Sequence, residues 1–165
     1  LVMFCLGDPE PKTVSGQAYS ILGMNIKDYA YINMWSRGPK LDGVYDVEDF
    51  ITGLIRTEKA TISLNGAWAQ NIGVEELYVD FLGDKAGIRL QYGAGFKLYT
   101  FKNGTLYEVT PSFRMQNEFQ AEIDAFINCI KTGERIASNI DNVIVTAKIM
   151  QALYDSSKAG REIVF

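Results

Sequence analysis

Trp68 is followed by Ala69-Gln70-Asn71-Ile72-Gly73, an order that sets two carboxamides on a loop directly after a strand. A carboxamide both donates and accepts, so Gln70 and Asn71 suit the hydroxyl groups of a small polar substrate; the plain alternative is a polar connection. Trp35 and Arg37 form a second candidate pair. An indole can stack on a sugar-like ring and a guanidinium can bind an anion, against core packing for Trp35 and solvent for Arg37. Asp46, Glu48 and Asp49 crowd one strand entry, but alternation sends Glu48 and Asp49 to opposite faces, which suits a turn and not an acid–base dyad. Glu58-Lys59, at a hairpin tip, reads as solvated charge. Gly93-Ala94-Gly95 is the one trace of a dinucleotide fingerprint. It lacks the third glycine and lies between strands instead of opening a helix, so it reads as a turn.

The chain contains no histidine. That removes Ser-His-Asp and Cys-His nucleophiles, His-based zinc sites and an imidazole relay from within it. Chemistry here must use carboxylates, Lys, Tyr or a cofactor. Cys5 and Cys129 lack CxxC spacing and read as buried thiols in a reducing compartment, which places the protein in the cytoplasm. No metal site is expected. Sixteen basic against twenty acidic side chains give a net charge of −4, with no basic, aromatic-laced surface for nucleic acid. The apolar runs are too short to cross a bilayer.

The elements that must position these residues can be read from periodicity. One hundred and sixty-five residues, 47% hydrophobic and 22% charged, make one globular domain. An apolar start from Leu1 to Leu6 breaks at Gly7-Asp8-Pro9 like the end of a helix whose beginning lies upstream. Residues 12–20 alternate weakly, as an edge or covering strand, and residues 23–45 form an irregular excursion. From Asp46 strict alternation begins; it turns at residues 57–60 and returns with Ile62, Leu64 and Trp68 on one face. Strands follow at 76–82, 86–92, 96–102 and 105–110, the last two joined through Asn103-Gly104, the preferred type I′ turn. Short connections force antiparallel neighbours and one meandering sheet.

A helical period then takes over. Phe119, Ile123, Phe126, Ile127 and Ile130 define one helix stopped by Gly133. A second opens near Ser138-Asn139, with Asp141 in a capping-box-like position, and ends at Gly160. Residues 161–165 close the fold as a strand. The result is an α+β domain: a two-layer, open, mostly antiparallel sheet with helices packed on one face. Its other face, bearing Tyr78, Tyr92, Tyr99 and Tyr107, is left for a homo-oligomer contact.

Several strings, in order, resemble the C-terminal domain of the Gfo/Idh/MocA family of nicotinamide-dependent oxidoreductases. They are Leu6-Gly7-Asp8-Pro9-Glu10-Pro11 with Val14-Ser15-Gly16, then residues 47–56 with Ala60-Thr61-Ile62-Ser63-Leu64 and Ala67-Trp68-Ala69. Phe119-Gln120-Ala121-Glu122-Ile123, Ala152-Leu153-Tyr154-Asp155-Ser156-Ser157 and Gly160-Arg161-Glu162 complete the set. The resemblance implies a glyceraldehyde-3-phosphate-dehydrogenase-like C-terminal domain over residues 1–165, serving substrate binding and oligomerisation. An N-terminal Rossmann domain binding NAD or NADP would lie upstream, together with the catalytic lysine. The implied reaction is reversible hydride transfer at a carbinol carbon of a sugar, inositol or related polyol. Net glycoside hydrolysis with transient use of NAD also occurs in the family, and a stand-alone, non-catalytic binding or assembly module is the competing reading. The resemblance strengthens Gln70 and Asn71 as substrate contacts and adds Asp141, at the acidic position opening the last helix, where a helix N-terminus favours a carboxylate in any case.

Overall fold

The computed structural model of the chain describes residues 1–28, 42–68 and 70–165. In chain order the elements are α1 (Val2–Cys5), β1 (Pro11–Tyr19), a 3₁₀ segment (Gly23–Asp28), β2 (Phe50–Thr57), β3 (Thr61–Ala67), β4 (Tyr78–Leu82) and β5 (Ala86–Gln91). They continue with β6 (Gly95–Lys102), β7 (Thr105–Val109), α2 (Glu118–Thr132), α3 (Ile140–Ala159) and β8 (Ile163–Val164). These fall into two compact units, Leu1–Asn71 with Ser138–Phe165, and Ile72–Ala137.

The α+β class stands, but the strands form two four-stranded sheets, β3-β2-β1-β8 and β4-β5-β6-β7, in place of one meander. All neighbours are antiparallel. The division falls at residues 68–77, a connection long enough for the chain to leave the first sheet without a tight return.

In the first unit β2 turns Ile51 and Ile55 inward, and these join Met3, Val14, Ile149, Ala152 and Leu153 as the core. β1 is not an edge strand along its first half: it lies between β2 and β8, and Val14 is completely buried. Gly16 and Gly53 face each other across β1 and β2. A Cβ on them would lie 2.6 and 2.4 Å from Leu153 Cδ2, so the paired glycines open a notch that receives this leucine and seats α3 on the sheet. Beyond β8, which is only two residues long, the open edge of β1 still has backbone donors to satisfy. The Gly16 N–H donates to Ser156 Oγ and the Ala18 N–H to Ser157 Oγ, both at 3.0 Å, so helix hydroxyls stand in for a strand.

The helix ends follow the expected chemistry, with one change. Gly133 (φ 73°) and Gly160 (φ 62°) stop α2 and α3 in the left-handed conformation. At the start of α3 the cap is Asn139, whose Oδ1 accepts the Asp141 N–H at 3.1 Å; Asp141 sits in the first turn and not at the far end of a capping box.

In the second unit, strand pairing puts Tyr78, Asp80, Arg89, Lys97, Tyr99 and Glu108 on one face of the sheet. Val79, Phe81, Ile88, Leu90, Phe96, Leu98, Tyr107 and Val109 share the other. The four tyrosines expected on a single open face are therefore split: Tyr78 and Tyr99 stand among ion pairs, Tyr107 stands on the apolar side, and Tyr92 lies beyond the end of β5. No residue of 72–137 is buried, and the stripe Phe119, Ile123, Phe126, Ile127 and Ile130 of α2 is exposed. Cys5 is exposed and Cys129 half-buried, both as free thiols; neither is the core thiol expected from composition.

Candidate functional site

The polar and aromatic side chains of the first unit converge where β2 begins and β3 ends. Phe50 pairs with Ala67 there, so Asp49 and Trp68 are the next residues out, and the Trp68 N–H donates to the Asp49 carbonyl at 3.2 Å. Asp49 is 2% exposed. Its Oδ2 accepts the Ile21 N–H at 2.7 Å and the Gly23 N–H at 3.0 Å, while its own N–H donates to the Tyr19 carbonyl at 2.9 Å. A buried carboxylate is tolerated because backbone donors satisfy it. Its role is to tie the segment leaving β1 to the start of β2.

Glu48 turns elsewhere, as alternation requires. Its Oε1 accepts the Tyr154 hydroxyl from α3, and that hydrogen bond, with partial burial and the nearby negative charge, holds the Tyr154 phenol above its ordinary pKa. The Glu48 carbonyl accepts the Trp68 indole N–H at 3.2 Å, and Tyr45 Oη accepts it at 2.7 Å. The Tyr45 and Trp68 rings lie 5.7 Å apart at 48°. Tyr45 is itself held against backbone: a Cβ on Gly23 would fall 2.1–2.3 Å from its ring, so only glycine leaves room for it.

Gln70 and Asn71 come two and three positions after Trp68 in the sequence, and both are exposed. Trp35 and Arg37 lie outside the described residues. Asp141 is exposed in the first turn of α3, thirteen positions before Tyr154 in the sequence, which is about 20 Å along the helix. Its neighbour Asn142 donates to Asp8 Oδ2 at 2.7 Å, next to the entry to β1. The structure leaves Asp141 at the opposite end of the first sheet from Trp68 and Tyr154. Glu58 and Lys59 are exposed at the hairpin tip, as expected.

Sequence reasoning missed Tyr45 and Tyr154 at this site. Tyr154 was legible only as part of the α3 stripe and Tyr45 only as the end of an excursion. The available signal was chemical: a tyrosine combines an apolar ring with a hydroxyl that seeks a partner when half-buried. Among the described residues, no group of three or more Cys, Asp or Glu side chains could hold a metal ion. Gly93 and Gly95 both take positive φ in the turn between β5 and β6, so the peptide groups there close a hairpin and do not head a helix that could cradle a pyrophosphate. This turn does not fit a dinucleotide site.

No protein-family profile matches the chain. Among curated proteins it is similar to D-glucoside 3-dehydrogenase of Escherichia coli K12, 27% identical over 164 residues, covering 98% of this chain and 44% of that protein. Among solved structures it is similar to the aldose-aldose oxidoreductase of Caulobacter crescentus in complex with glycerol. That match has a TM-score of 0.72 at 19% identity, over 99% of this chain and 44% of the other. A levoglucosan dehydrogenase in complex with NADH and L-sorbose matches with a TM-score of 0.67 at 16% identity, over 94% of this chain and 44% of the other. The chain therefore has the α+β fold found in part of these oxidoreductases, spanning less than half the length of each. The resemblance drawn from the sequence is borne out by these matches.

Proposed function

We propose that this chain supplies the substrate-pocket wall and the assembly surface of a nicotinamide-dependent dehydrogenase acting on a sugar or related polyol. The observation that carries the reading is the alignment, along 98% of the chain, with an enzyme that oxidises a glucoside. NAD or NADP would be held mainly by a domain outside this chain. In this reading Gln70 and Asn71 meet substrate hydroxyls, and Trp35 and Arg37 form a second contact. Asp141 lies about 20 Å along α3 from Tyr154, so its part would be separate. The apolar sheet face of residues 72–137 would join copies of the protein, which would work in the cytoplasm.

The test uses the full-length gene product with methyl α-D-glucopyranoside and either NAD or NADP, following reduced nicotinamide. Turnover is expected with one of the two. Replacing both Gln70 and Asn71 by Ala should raise KM for the glycoside. Unchanged kinetics would reject that loop, and no turnover of this glycoside or of inositol with either nucleotide would reject the reading. A sedimenting monomer at micromolar concentration would reject the assembly surface.

A further inference from the structure

We propose that Trp68 is a stacking platform for a pyranose ring, its indole fixed by Tyr45 and Glu48 so that the C–H face of the sugar lies on it while Gln70 and Asn71 take the hydroxyls. This rests on the sugar-dehydrogenase reading and names the contact that would orient the substrate.

Trp68 is 51% exposed, yet it is not free to turn. Its backbone N–H is held by the Asp49 carbonyl, and its indole N–H is shared between Tyr45 Oη and the Glu48 carbonyl. Tyr45 in turn is wedged against Gly23, and Glu48 is engaged by Tyr154 from α3. Three separate segments of the chain, residues 45–49, Gly23 and α3, therefore fix one half-exposed ring. Indole has a single donor, and here that donor is already shared between Tyr45 and Glu48. What the exposed part offers is aromatic surface alone, which suits the C–H face of a ring and neither an anion nor a lone hydroxyl. The missing polar recognition stands two and three residues further on, where Gln70 and Asn71 are both exposed. An aromatic surface oriented before binding also avoids the ordering cost that a mobile side chain would add.

The experiment compares methyl α-D-glucopyranoside binding, by saturation-transfer NMR and by steady-state KM, in the full-length protein and its variants. Trp68→Leu is expected to weaken binding and raise the glycoside KM roughly tenfold, with the nicotinamide KM unchanged. Trp68→Phe should recover part of the loss, because a ring face returns. Tyr45→Phe, which keeps the ring over Gly23 but removes the oxygen that holds the indole, should weaken binding a few-fold. Each variant is checked by near-ultraviolet dichroism and thermal melting, and Trp68→Phe and Tyr45→Phe carry the test if Trp68→Leu does not fold. Wild-type affinity in Trp68→Leu, or in the two conservative variants, together with a loss in the Gln70/Asn71 double alanine variant overturns the platform and leaves the carbohydrate reading standing. Absence of glycoside binding and turnover in the wild type overturns both. A Trp68-dependent response to nicotinamide nucleotide and none to the glycoside overturns the platform in favour of a cofactor contact.

Discussion

Val14 and Leu153 are completely buried in the unit built on β1, β2, β3 and α3, whereas no side chain of residues 72–137 is buried although its four strands are fully paired. Regular hydrogen bonding is therefore common to both units and a closed core is not. In the first unit, two opposed glycines let Leu153 approach the sheet and two serines satisfy its open edge, so helix and sheet are locked by shape and by hydrogen bonds. In the second, alternation puts the ion pairs on one face, together with the exposed Leu82, Phe101 and Leu106, and leaves a more continuous apolar face on the other. Such a face gains its stabilisation only when something covers it. The difference matches the proposed division of labour: the closed unit carries the site that must be rigid, and the open one carries surface to be shared.

The largest expected effect sharpens this contrast at Leu153. Leu153→Ala should destabilise the chain by about 2–5 kcal/mol in denaturant unfolding, because the notch over Gly16 and Gly53 has backbone walls that cannot collapse. Phe126→Ala, on the exposed stripe of α2, should stay within about 0.5 kcal/mol. A loss at Phe126 as large as that at Leu153 would break the comparison by showing that α2 is covered in solution. A smaller pair follows from hydroxyl groups. Ser156→Ala removes both the acceptor for Gly16 and the donor to the Arg161 carbonyl at a 2%-exposed position, and should cost about 1–3 kcal/mol. Thr132→Ala likewise removes a donor, to the Asn128 carbonyl, and an acceptor, of the Glu134 N–H, but at the exposed end of α2, where water replaces both, and should change unfolding by less than about 0.5 kcal/mol.

Local signals in the sequence were sufficient where the physics is local. Asn103 (φ 53°) and Gly104 (φ 76°) take the positive angles a type I′ turn demands, and β6 and β7 pair on either side as their composition required. Gly133 and Gly160 end the helices whose apolar periods precede them. Alternation also separated Glu48 from Asp49 correctly, since one meets Tyr154 and the other the backbone of residues 21 and 23. What was not legible is non-local. Nothing in the spacing says that β8 pairs with β1, that the strands divide into two sheets, or that Tyr45 rests on Gly23. Those pairings join residues far apart in sequence, and a period of two or 3.6 carries no record of its partner. The scaffold around Trp68 was not legible, because Tyr45, Gly23 and Tyr154 come together there only through the fold.

The smallest effects are electrostatic, and they set the two units against each other by pH. In the first unit Tyr154 is held above its ordinary pKa by its hydrogen bond to Glu48, with burial and charge adding to it. A raised acid group lends stability that is fully present below the unfolded pKa and is lost as pH rises through the folded one. The wild type should therefore lose stability on an alkaline limb that Tyr154→Phe flattens, and Tyr154 should be the late phenol in an ultraviolet titration. In the second unit the Arg89 guanidinium donates two bonds to Asp80 at 2.7 and 2.8 Å and lies 4.4 Å from the Tyr78 ring centre, which holds the Asp80 carboxyl below its ordinary range. The sign is reversed: that contribution is present above the usual aspartate range and fades as pH falls through the depressed value. The pair lies open to solvent, so water and salt screen it and side-chain ordering opposes it. Arg89→Gln should thus return the Asp80 carboxyl, read by carbon NMR, to an ordinary titration while leaving the neutral-pH unfolding midpoint within measurement error. A clear drop in that midpoint would mean that the sheet of residues 78–109 depends on its charged face, and that its lack of a closed core is offset within the unit and not by a covering partner.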